Sequence, residues 1–192
     1  MATNLASHSA VTLSNPTSSS TFGSGWEAAN VIDGDFATLF STSMTGPNIN
    51  WVAAQVPPGT EIGHVAVYNR HDDSNPQWLN NFEVYVGTTA GDRGVLCGAA
   101  SYDGAMASSE PYVISCGGTT AGTWVTVQQT SGCVNNWPDN LCILCLAEIR
   151  VHVLASPSPP PMLPPSAPPP FPTPPPPSPP PLSPPPSPPP SS

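Results

Sequence analysis

The chain has 192 residues, a net charge of −9 and three cationic side chains, Arg70, Arg93 and Arg150, with no lysine. That balance excludes a nucleic-acid binder, which needs clustered Lys and Arg to neutralise phosphates, and a polybasic membrane-docking segment. No apolar run approaches the ~20 residues that span a bilayer, so no membrane insertion is expected in this segment. In chain order, residues 26–32 are the one stretch that could make a helical turn. The β pattern then takes over. Residues 62–68, 82–86, 112–115, 124–127 and 141–153 are β-branched and aromatic and mostly alternate. The breaks between them are Pro57-Pro58-Gly59, Asp72-Asp73-Ser74-Asn75-Pro76, Gly117-Gly118 and Asn135-Asn136-Trp137-Pro138. Short strands at this spacing predict an all-β, antiparallel β-sandwich.

The composition changes near Ala155. Residues 157–192 hold 23 of the 30 prolines and no charge, and their only large apolar groups are Met162, Leu163, Phe171 and Leu182. Such a segment cannot bury enough surface to fold and is expected to be a disordered polyproline II rod. At about 3.1 Å per residue, it would reach roughly 110 Å. The expected organisation is one folded domain over residues 1–155 and a proline-rich tail or linker over residues 156–192.

Five cysteines in a lysine-free, polar-surfaced domain point to an oxidising compartment. Cys97 and Cys116 flank one predicted hairpin and could close it. Cys142-Ile-Leu-Cys145 is formally a C-x-x-C, but residues i and i+3 on a strand face opposite sides, which argues against a zinc or redox pair. The same alternation leaves only one of the two well placed for Cys133. A Cys133–Cys142 bridge with Cys145 buried is favoured, with Cys133–Cys145 as the alternative.

Several segments, taken together, point to a family. They are Asn4-Leu-Ala, Ala29-Asn-Val-Ile-Asp-Gly-Asp35, Trp51, Val67-Tyr-Asn-Arg70-His-Asp72, Leu79-Asn-Asn-Phe-Glu-Val-Tyr-Val-Gly87 and Leu146-Ala-Glu-Ile-Arg-Val151. In that order the chain resembles the F-type lectin (fucolectin) branch of the discoidin-like, coagulation-factor type C domains, over roughly residues 4–153. The resemblance implies a discoidin-like jelly roll. The tail is similar in composition to the hydroxyproline-rich rods of green-algal matrix glycoproteins, including the pherophorin-like group.

Plain chemistry and the resemblance meet at one turn. Asn30, Asp33 and Asp35 put three oxygen-bearing residues around Gly34, and Glu148 is a carboxylate in the last predicted strand. Calcium takes six to eight such oxygens. The resemblance implies a structural Ca2+ ion held by the Asn30 and Asp35 carbonyls, the Asp33 side chain, a Ser41 oxygen, the Ala147 carbonyl and the Glu148 side chain. The competing reading is a plain Asp-Gly turn, with Glu148 solvated or paired to Arg150.

The resemblance also implies a sugar site. A neutral polyol needs rigid donors plus an apolar face, and an Arg fork held by a neighbouring Asp supplies the donors. Arg70 and Asp72 match that pattern. The family's His falls at Ser43, and its second basic position falls on Gln77, or on Trp78 if aligned from Leu79. Two expectations stand. In one, Arg70, His71, Asp72, Gln77, Trp78 and Ser43 bind fucose or a related sugar with altered specificity. In the other, the fucose site is lost and the domain is a structural or adhesion module. The expected partners are glycans or glycoproteins, and the sequence leaves open whether the domain pairs or trimerises.

No enzyme is expected, because no G-x-S-x-G elbow, H-E-x-x-H or Gly-rich phosphate loop occurs. The start has no charged n-region and no apolar h-region. The chain therefore reads as a fragment of a longer secreted, matrix or cell-wall protein.

Overall fold

The computed structural model describes residues 9–44, 50–70, 76–103, 110–119, 122–130 and 142–153. Eleven strands follow in order: β1 (Ala10–Val11), β2 (Ser14–Ser18), β3 (Phe40–Ser41), β4 (Trp51–Gln55), β5 (Ile62–Tyr68), β6 (Phe82–Gly87), β7 (Val95–Tyr102), β8 (Tyr112–Thr119), β9 (Trp124–Gln129), β10 (Cys145–Leu146) and β11 (Glu148–Val153). Two 3-10 turns, Ala28–Val31 and Pro76–Leu79, are the only helical pieces among the described residues. None of these is long and apolar enough to cross a membrane. The chain divides into two compact units, Met1–Pro157 and Ser158–Ser192. The second unit and the tail expected over residues 156–192 lie outside the described residues.

All strand pairs are antiparallel, as expected for a sandwich. A four-stranded sheet runs β1-β11-β5-β8, a five-stranded sheet runs β2-β4-β9-β6-β7, and β3 pairs with β10 apart from both. Alternation explains the core. In β5 and β11, Val65, Val67, Ile149 and Val151 face inward, against Val52, Val84, Val86, Val125 and Val127 of the other sheet. All nine are at most 1% exposed, and fully burying one such side chain is worth roughly 1.5–3 kcal/mol. Phe82 is boxed by Tyr102, stacked at 5.4 Å, and Tyr112, edge-on at 5.2 Å. The Cys97–Cys116 disulfide ties β7 to β8, and so one sheet to the other.

The predicted strand over residues 141–153 is corrected. It splits at Ala147 into β10, paired with β3, and β11, paired with β1 and β5. Ala147 makes the turn between them, its N–H donating to the Tyr68 carbonyl at 2.9 Å. The premise of one strand through Cys142 and Cys145 falls with it. Cys142 is disulfide-bonded, while Cys145 is buried outside any disulfide. Cys133, the favoured partner for Cys142, lies outside the described residues. A carboxamide cluster anchors this segment instead of a sheet. Asn50 donates to Gln129 Oε1 and the Cys142 carbonyl, and both Gln129 and Asn80 donate to the Ile143 carbonyl.

Strands β1, β2, β3, β4 and β7 were not anticipated. In β4, Ala53 is 0% exposed although it points away from the core. The connection between β6 and β7 covers it, with Gly91 donating to Thr126 Oγ1 at 3.2 Å and packed on Trp51. A Cβ at Gly91 would sit 2.5 Å from that indole. With both faces covered, β4 carries no alternation to read.

Candidate ligand-binding site

Between β2 and β3 the chain makes a long excursion, and Asn30 cinches it. Its amide donates to the Gly25 carbonyl at 3.0 Å and to the Leu39 carbonyl at 2.8 Å. The 3-10 turn Ala28–Val31 is the helical turn expected within residues 26–32, and it feeds a tight reversal at Gly34, whose φ of 79° favours glycine. Asp33 Oδ1 accepts the Asp35 N–H at 2.8 Å, and Asp33 Oδ2 accepts the Thr38 hydroxyl at 2.7 Å. Asp35 Oδ1 in turn accepts the Ala37 N–H at 2.9 Å.

Glu148, the first residue of β11, reaches this turn across the fold. Its Oε2 accepts the Gly34 N–H at 3.3 Å, and its Oε1 lies 3.6 Å from Arg150 Nε. The residue is 4% exposed. Burial raises its carboxyl pKa above the ordinary value and Asp33 adds to the rise, against the lowering effect of the Gly34 N–H and Arg150. The structure thus brings together Asp33, Gly34 and Glu148, with Asp35 and Ala147 adjacent in the chain. Ser41 is engaged elsewhere: its N–H donates to the Trp26 carbonyl, its own carbonyl accepts the Phe22 N–H, and its hydroxyl donates to the Thr42 carbonyl.

This donor set suits a hard cation. Its donors are all oxygens, and the buried carboxylate is one whose charged form the surroundings leave under-compensated. Among the described residues no three His, Cys, Asp or Glu side chains gather as a metal cluster. A cation here would therefore draw most of its oxygens from main-chain carbonyls.

A second cluster forms where β5 ends. Asn69 Oδ1 accepts the Arg70 N–H at 2.8 Å while its amide donates to the Pro76 carbonyl at 3.0 Å. These bonds fold the Pro76–Leu79 turn back toward Arg70. The Arg70 guanidinium then lies 4.8 Å from the Trp78 ring centre and 6.0 Å from that of Trp26. Its Nη1 donates to Cys145 Sγ at 3.8 Å. Phe22, 49% exposed, meets Trp26 edge-on at 6.1 Å. A groove of about 320 Å³ adjoins the cluster, lined by Gly25, Trp26, Ala37, Thr38 and Leu39. Thr38 also donates to Asp33, so the groove wall and the acidic turn are one hydrogen-bonded unit.

Of the expected sugar-site residues, Arg70 and Trp78 are in contact. Arg70 is only 4% exposed, while Trp26 and Trp78 are both half-buried. Gln77 lies on the same turn, its carbonyl accepting the Asn80 N–H at 3.0 Å. Ser43 is half-buried, its N–H donating to Ser20 Oγ at 3.2 Å. His71 and Asp72 lie outside the described residues. Trp26 and Phe22, which meet this cluster, were not among the expected residues. The available signal was a pair of large aromatics in the Gly- and Ser-rich segment Phe22-Gly-Ser-Gly-Trp26, where a loop has no reason to carry apolar bulk.

Comparison with known proteins agrees with this architecture. A fucolectin from Morone saxatilis (striped bass) serum is 19% identical with a TM-score of 0.58, over 73% of this chain and 45% of that one. A Streptococcus pneumoniae fucose-binding module is 20% identical with a TM-score of 0.53, over 73% and 91%. The family 32 carbohydrate-binding module of C. perfringens NanJ, in complex with galactose, is 13% identical with a TM-score of 0.56, over 76% and 98%. No curated protein sequence matches the chain significantly. The F5/8 type C domain profile matches residues 15–143. With two thirds of its length matched and the same jelly-roll sandwich, the chain belongs to the F5/8 type C domain family.

Proposed function

We propose that this domain is a non-catalytic, lectin-like carbohydrate-binding module of a secreted or matrix protein. Its site is the rim where Trp26 and Trp78 close over Arg70. The convergence of two indoles and an arginine from separate loops carries this reading. Indole faces stack on the apolar face of a pyranose, while hydroxyl partners come from the surrounding polar groups. The altered positions, Ser43 and Gln77, point to a specificity different from that of the fucose-binding relatives. Arg70 supports the rings from beneath. A glycan array of the full chain tests this. Binding to neutral glycans that Trp78→Ala abolishes supports it, and an array with no bound glycan counts against it.

In the same reading, Ca2+ is a structural ion at the Asp33–Glu148 turn, held by the Asn30, Asp35 and Ala147 carbonyls and both carboxylates. It would tie the excursion before β3 to the last strand and so hold the groove wall through Thr38. A second reading, a structural or adhesion module without a sugar site, is favoured by the burial of Arg70. The array separates the two.

A further inference from the structure

The outer face of the four-stranded sheet carries an opposed pair of imidazoles. His152 of β11 stands directly across from His64 of β5. The row continues to Ala10 of β1 on one side and Ser115 of β8 on the other. Directly opposed residues on antiparallel strands share one face, with Cβ atoms about 4.5–5.5 Å apart. At that spacing two ring nitrogens can reach one ion at the ~2.0–2.1 Å typical of a zinc–histidine bond.

Three features of the surroundings fit an ion. First, His152 is 8% exposed and His64 is half-buried. An imidazole ligates a metal through a ring nitrogen that carries no proton. Second, the flanking Ala10 and Ser115 are small and exposed, leaving room for further ligands such as water. Third, the register shifts beside the pair on both partners, between His152 and Val153 in β11 and between Ile62 and His64 in β5. Such irregularities re-aim side chains and recur beside functional positions.

Glu148 and Arg150 precede His152 on β11, and Ala66 and Tyr68 follow His64 on β5. Arg150 is drawn to the far end, 3.6 Å from Glu148 and over the rings of Phe36 and Tyr68 at 4.7 and 5.5 Å.

We propose that His64 and His152 form a two-histidine site for a borderline divalent transition ion, Zn2+, Cu2+ or Ni2+, stapling β5 to β11. Imidazole selects these ions over Ca2+ and Mg2+, which take oxygen, so the site is chemically distinct from the Asp33–Glu148 turn. The test titrates the full chain, in excess Ca2+, with Cu2+ followed by electron paramagnetic resonance, and with Zn2+ followed by thermal melting. The expected copper signal shows coupling to two nitrogens, and Zn2+ raises the melting midpoint. His64→Gln, at the half-buried position, weakens binding of both ions at least tenfold and leaves the far-UV circular dichroism unchanged. A wild-type copper signal without histidine nitrogens, or a His64→Gln variant that binds both ions like wild type, overturns the proposal.

Discussion

Arg70 and Arg150 are each stacked on two aromatic rings, yet the two arginines sit in opposite surroundings. Arg70 is 4% exposed beneath Trp26 and Trp78, with Nη1 against the Cys145 sulfur. Arg150 lies over Phe36 and Tyr68 with its side chain 38% exposed, and its second partner is the Glu148 carboxylate. The same contact is worth more where water is excluded: cation–π pairs run from about 0.5–1 kcal/mol when exposed to about 2 kcal/mol or more when desolvated. An arginine among aromatics is thus a core support in one place and a screened surface partner in the other. In the proposed site, the ligand-facing chemistry at the first place falls to the rings.

The largest effect should come from breaking the buried member. Arg70→Ala is expected to cost about 2–4 kcal/mol in urea unfolding, because it removes a stacked, fully packed side chain. Arg150→Ala should cost less than about 1 kcal/mol, since exposed ion pairs contribute little. Equal losses at the two positions would erase the distinction drawn here.

Glu148 supplies the next effect, and its sign is definite. Its folded-state pKa lies above the ordinary carboxylate value, chiefly through burial. The folded state therefore binds the proton more tightly than the unfolded state. The stability Glu148 contributes is fully present below its unfolded pKa and is lost as pH rises through its folded pKa. In chelator, wild type should lose stability over that window while Glu148→Gln does not. Added Ca2+ should raise the melting midpoint of wild type at neutral pH and leave Glu148→Gln unmoved, by mass action on the folded state. A chelator-insensitive wild-type midpoint would remove the ion from the account.

Gly91→Ala sharpens the comparison from the other face. Its φ of 77° and the 2.5 Å approach of a Cβ to Trp51 predict a loss of about 1–3 kcal/mol by denaturant unfolding. That loss should come with unchanged ligand binding, since Gly91 packs on the sheet rather than the rim. The smallest stability effect is expected at Phe22→Ala, within about 0.5 kcal/mol for an exposed side chain. Glycan affinity should nevertheless fall, because Phe22 buttresses Trp26.

What the residues disclosed in advance follows the same physics. Strand β5 was legible from end to end because its β-branched inward positions repeat with period two between turn-forming residues. Strand β4 was not, since Ala53 is buried on the face away from the core and no alternation survives. Strand β7 hides behind Gly98, which takes a φ of 64° in mid-strand. The acidic turn was legible as an Asp-Gly reversal, and Glu148 as a carboxylate where strand patterning is otherwise mostly apolar. The Trp26–Arg70 contact was not, because it joins residues from separate loops through tertiary packing that no local pattern encodes. The His64–His152 pair is likewise a product of register: neither histidine is unusual until β5 and β11 are laid side by side.

The central claim is that the Trp26–Arg70–Trp78 rim binds a neutral sugar. Glycan-array binding of the full chain beside Trp78→Ala, with circular dichroism to confirm both are folded, tests it most directly. The account predicts that wild type retains a defined set of neutral glycans and that Trp78→Ala loses them by at least tenfold. A wild-type protein that retains no glycan, or a Trp78→Ala variant that retains the same set at equal strength, would contradict it.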